Sequence, residues 1–138
     1  MSPTSVSKDL YPNNILDGNY STSVPKPIEF LGFNLGERVA TPAQISSAIL
    51  KWSTASDRLK VIEYAKTHEG RPLYSVFISS PNNINDLDTI KDNIERLSDA
   101  RGINDRQAQI IIENIPAVAW MAYSIHGNET SGADAALG

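Results

Sequence analysis

Ile45, Ala48, Ile49 and Trp52 recur at three- and four-residue intervals, the spacing that lines apolar side chains along one helix face. Thr41, Pro42 and Gln44 stand just ahead of them as a cap, a first-turn proline and the far end of a Thr-x-x-Gln capping box. A helix is therefore expected from Thr41, ended by "STASD" (53–57). The period then shortens. "RLKVIEYAKT" (58–67) and "RPLYSVFISS" (71–80) read as strands, and the short "HEG" link between them predicts an antiparallel hairpin. The second run is the more apolar, so it is expected to be the more central strand, closed by Pro81.

Helical spacing returns with Ile84, Leu87, Ile90, Ile94 and Leu97, predicting one amphipathic helix over 82–102 that stops near Gly102. Asn104 and Gln107 can open a further short helix carrying Ala108, Ile111 and Ile112, which Pro116 ends. "AVAWMAYSI" (117–125) is almost wholly apolar and is expected as a strand buried on both faces. "GNETSGADAALG" then reads as a turn into a helix. Ahead of all this, residues 1–27 are rich in Ser, Thr, Pro and Asn and predict an irregular N-terminal arm. Residues 28–40, "IEFLGFNLGERVA", predict a loop packed against a body spanning 28–138. Helices interleaved with strands make this an α/β protein with a mixed β-sheet flanked by helices.

Composition narrows the chemistry. Of 138 residues, 41% are hydrophobic and 20% charged, an ordinary globular balance with enough chain for one core. Twelve basic against 16 acidic residues, a net charge of -4 and no basic cluster argue against a nucleic-acid partner. No apolar run reaches the ~18 residues of a membrane helix, so no membrane partner is expected. The start, "MSPTSVSKDLYPNN", lacks the apolar stretch of a signal peptide, which leaves a cytoplasmic start and a mature exported chain both open. Cysteine is absent, so a metal here would need His, Asp or Glu.

Two such residues stand together. His126 and Glu129 lie three apart where the expected buried strand meets the last helix, the sheet edge at which α/β folds place ligands. At that spacing they can converge on one cation, with Gly127 letting the backbone fold tightly between them. The bland reading has Glu129 serving the helix N-terminus and His126 satisfying a carbonyl. His68, in the hairpin link, reads as a solvated turn residue, and Arg71 as the partner of a neighbour such as Glu69. Ser124 and His126 are not expected to form a nucleophile–base pair. Phosphate-loop, dinucleotide-binding and Gly-x-Ser-x-Gly patterns are all absent from the sequence.

Taken together, "THEGRPLYSVFIS" and "YSIHGNETSGADAAL" resemble the N-terminal part of the zinc carboxypeptidases of the M14 (carboxypeptidase A-like) family. "PKPIEFLGFNLGERVATPAQI" is similar to the lead-in of bacterial members, so the resemblance covers about residues 25–138. It implies the first half of a mixed sheet between helices, and peptide hydrolysis by metal-activated water. It makes His126 and Glu129 the first two ligands of one zinc ion (Zn). The third ligand, the general base and the residues that hold the peptide substrate would lie beyond Gly138, so no catalytic residue is expected within this chain. The resemblance further implies a secreted or periplasmic setting, and a truncated sheet whose exposed edge invites self-association. Two other readings stay open: a non-catalytic binding or assembly module, and a zinc deacylase of small N-acyl amino acids, which also carries His-Gly-Asn-Glu.

Overall fold

The computed structural model describes residues 19–99 and 101–138. Among them are six helices and one two-stranded antiparallel sheet, a mixed α/β content. The helices are α1 (Pro27–Leu31), α2 (Pro42–Ala55), α3 (Pro81–Asn85), α4 (Leu87–Ser98), α5 (Asp105–Asn114) and α6 (Ser131–Leu137). The strands are β1 (Leu59–Lys66) and β2 (Pro72–Ile78). The described residues divide into two compact units, one made of residues 19–56 together with Met121–Gly138, the other of Asp57–Trp120.

In the first unit the expected cap of α2 is in place. The Thr41 hydroxyl accepts from the Gln44 N–H at 3.3 Å, and the Gln44 carboxamide oxygen accepts from the Thr41 N–H at 3.0 Å. Two of the four donors that a helix start leaves free are thereby satisfied. The segment 28–40 is not loop throughout: Pro27–Leu31 forms a helical turn, ended by Gly32 in the left-handed conformation (φ 74°). The Lys26 N–H donates to the Glu29 carboxylate at 2.8 Å and fixes its start. This turn delivers Leu31 to a core with Ala40, Ala48 and Leu137, against which Phe30, Phe33, Leu35, Ile45 and Trp52 pack. Trp52 does more than fill space. Its indole N–H donates to the Pro25 carbonyl at 2.7 Å, and its ring meets Phe30 edge-on at 6.1 Å.

The second unit opens with the expected hairpin, in the register Leu59↔Ile78 to Lys66↔Pro72, with an irregularity between Glu63 and Ala65. Its turn closes through Gly70, whose N–H donates to the Thr67 carbonyl at 2.9 Å with φ at 78°. No further strand joins it among the described residues, so β2 is an edge strand rather than a central one. The helix expected over 82–102 is two. Ser80 caps α3 by accepting from the Asn83 N–H at 3.3 Å, and Asp86 leaves helical geometry (φ −104°, ψ 19°) before α4 begins. Ile84 and Ile90 are buried on either side of this break. Asn104 and Gln107 cap α5 reciprocally at 3.0 Å, and α5 buries Ile111.

The largest departure lies at 117–125. This stretch forms no strand, and Val118, Trp120, Met121, Tyr123 and Ile125 are all exposed. An apolar run of this kind becomes a buried strand only where neighbouring edges pair with its backbone. Among the described residues none does.

Candidate metal-binding pair

The polypeptide turns sharply after Ile125. The Glu129 N–H donates to the His126 carbonyl at 3.0 Å, closing a four-residue turn over His-Gly-Asn-Glu, and α6 begins two residues later at Ser131. This turn, rather than a strand–helix junction, brings the two side chains to one side. His126 Nδ1 lies 3.1 Å from Glu129 Oε1. A carboxylate can only accept, so in this arrangement Nδ1 carries the proton and donates. Both side chains are open to solvent, 70% and 62% exposed.

Gly127 is not what makes the turn possible. Its φ lies outside the left-handed region, and a Cβ there would meet nothing within 4 Å. The requirement for glycine falls five residues on. A Cβ on Gly132 would come within 2.8 Å of the Ser124 backbone nitrogen and 3.0 Å of its hydroxyl oxygen. Ser124 itself is in the left-handed region (φ 57°), unusual for a residue with a side chain. Its hydroxyl donates to the Glu129 carbonyl at 3.2 Å. Ser124 and Gly132 thus clamp the two ends of the turn that presents His126 and Glu129. Neither role was assigned from the sequence. Gly132, inside the opening turn of a short helix, was the available sign of a close approach.

The separation of the pair is that of a hydrogen bond, and it can be set beside the spacing of ligands that share one ion. Zinc bonds of about 2.0–2.2 Å at a tetrahedral angle put neighbouring donor atoms roughly 3.4 Å apart, close to the 3.1 Å seen here. Two donors are not a complete zinc site, and no group of three or more His, Asp or Glu suited to a metal occurs among the described residues. Asp134, on α6, does not join the pair, although its Oδ1 is buried without a hydrogen-bond partner. Glu129 does not cap α6 through its carboxylate, which is turned to His126. His68 is exposed in the hairpin turn, as expected, and Arg71 pairs with Glu69 at 2.6 Å.

No protein-family model, curated protein or solved structure matches the chain. No helix among the described residues is long and apolar enough to cross a membrane.

Proposed function

We propose that this chain carries the His-x-x-Glu portion of the zinc site of a metallocarboxypeptidase of the carboxypeptidase A type, acting on peptide substrates. The observation that carries this reading is the 3.1 Å approach of His126 Nδ1 to Glu129 Oε1 within a single closed turn. A zinc ion held there supplies Lewis-acid polarisation of a scissile carbonyl and a bound water of lowered pKa. The chain's own part is to present the two donors. To hold the ion, His126 would carry its proton on Nε2 rather than Nδ1, and the Glu129 carboxylate would exchange its hydrogen bond for the metal. Ser124, held to the Glu129 carbonyl, fixes where the turn stands. No third ligand stands beside the pair among the described residues, so on this reading a third ligand and a general base come from elsewhere, and the chain by itself is expected to be catalytically silent.

Zinc titration by calorimetry tests this, comparing the chain with a His126→Ala, Glu129→Ala double variant. Weak binding that disappears in the variant supports the reading. Binding of equal strength in both proteins overturns it. A chain that cleaves peptides by itself also overturns the half-site assignment.

A further inference from the structure

Residues 125–129 are exposed throughout, so burial does not hold His126 and Glu129 together. Their turn is tied at its two ends instead. At one end the Ser124 hydroxyl donates to the Glu129 carbonyl at 3.2 Å. At the other the chain runs through Thr130 into α6, whose Gly132 lies against the Ser124 backbone. Ser124 stands in the left-handed region (φ 57°), a conformation that a serine keeps only where its surroundings impose it. α6 is the element pressed against it.

Left to itself, α6 could not impose anything. It has seven residues, too few for a helix to persist in water. No side chain caps its start, it contains Gly132, and Asp134 buries one carboxylate oxygen without a hydrogen bond. Each of these works against the helix, and what offsets them lies at its far end. Leu137, the one buried residue of α6, is 4% exposed in the cluster with Leu31 and Ala48. Ala48 belongs to α2, which has fourteen residues and is held at its start by the Thr41–Gln44 box. A single side chain therefore docks α6, about 9 Å along the helix axis from where the turn ends. All these residues belong to the first unit.

We propose that Leu137 is a positioning residue for the His126–Glu129 pair. Its burial fixes α6, and α6, through Gly132, keeps Ser124 and the turn in the conformation that brings the two side chains together. The inference concerns the metal-free chain. Its consequence for zinc, weaker binding whenever Leu137 is undocked, rests on the function proposed above.

The tautomer of His126 reports the pair without any metal. In the pair the proton stands on Nδ1, facing the Glu129 carboxylate at 3.1 Å. A solvated imidazole prefers its proton on Nε2, and His68, exposed in the hairpin turn, is the internal reference. Nitrogen-15 NMR at about pH 9, well above the ordinary histidine pKa, measures both. Leu137→Ala is expected to lower the Nδ1–H to Nε2–H ratio of His126 at least about twofold, towards that of His68. Ala135→Gly, at an exposed position, loosens α6 without touching the core and is expected to act in the same direction. It carries the test where Leu137→Ala unfolds the unit. Leu137→Met keeps the volume and the parent ratio. Ile111→Ala destabilises the other unit and leaves the ratio unchanged. An unchanged ratio in both Leu137→Ala and Ala135→Gly overturns the proposal. So does an equal fall in Ile111→Ala, or a parent His126 indistinguishable from His68. Zinc is absent throughout, so a failed zinc titration leaves these outcomes as they stand.

Discussion

Gly132 lies against the backbone of Ser124, with room for a hydrogen but not for a methyl group: a Cβ there would sit 2.8 Å from the Ser124 nitrogen. The neighbour is main chain, which cannot swing aside as the end of a flexible side chain can. Gly132→Ala must therefore displace either α6 or the segment carrying Ser124. We expect a loss of about 1–3 kcal/mol, the usual cost of overpacking. Denaturant unfolding measures it. Gly127→Ala serves as the contrast, because that Cβ meets nothing, and it is expected to change stability by less than about 0.5 kcal/mol.

Trp52 holds the start of the described chain to α2. Trp52→Phe keeps an aromatic ring against Phe30 but removes the donor to the Pro25 carbonyl. A lost hydrogen bond of this kind costs about 0.5–1.5 kcal/mol. The expected result is a lower unfolding midpoint, with faster proteolysis ahead of Pro27 than in the parent protein. An unchanged midpoint removes the role given to the indole N–H.

The Thr41–Gln44 capping box offers a third check. Thr41→Ala abolishes the side-chain acceptor for the Gln44 N–H, which ordinarily costs about 1 kcal/mol of helix stability. Thr41→Ser restores most of it, because only the oxygen is needed. Thermal unfolding followed by circular dichroism distinguishes the two substitutions, and equal melting of both contradicts the cap.

A fourth expectation concerns acid. The Arg101 guanidinium donates to both carboxylate oxygens of Asp99 at 2.8 Å, and the Arg101 N–H adds a bond at 3.2 Å. These contacts, the guanidinium first, hold the Asp99 carboxyl below its usual range. A carboxyl depressed in the folded protein adds stability above its unfolded pKa of about 3.9, and that increment is lost as pH falls through the folded value. The pair is exposed to solvent, so added salt weakens it. An NMR titration should place the Asp99 midpoint below the ordinary aspartate value. Arg101→Gln should raise it. A midpoint that ignores the substitution contradicts the pairing.

These local devices were legible in the sequence because each is written within a few residues. Thr41 and Gln44, Asn104 and Gln107, and the Gly70 turn between two β-prone runs all carry their own instructions. The division between α3 and α4 was hidden because Ile84, Leu87 and Ile90 keep helical spacing across it. Ser80 and Pro81, a cap followed by a first-turn proline, were the sign of a separate start. The run 117–125 misled for a different reason. Apolar side chains announce that a segment should be covered, but the covering edge lies elsewhere in the chain or in another molecule, and spacing does not report it. His126 and Glu129 do come together, as their separation suggested, yet a tight turn with Ser124 at its base achieves it rather than a strand end with Gly127.

Leu137 packs into the same cluster as Leu31 and Ala48, about a hundred residues earlier in the chain. The ribosome therefore delivers Phe30, Leu31 and Trp52 long before the residue that completes their core. Residues 57–120, being continuous, can collapse around Ile84, Ile90 and Ile111 in the meantime. The earlier unit has to wait, half assembled, for a single late helical turn. During that interval its apolar surface is open to chaperones. The turn bearing His126 and Glu129 emerges just before that closure, so it takes its place only after residues 57–120 have been made.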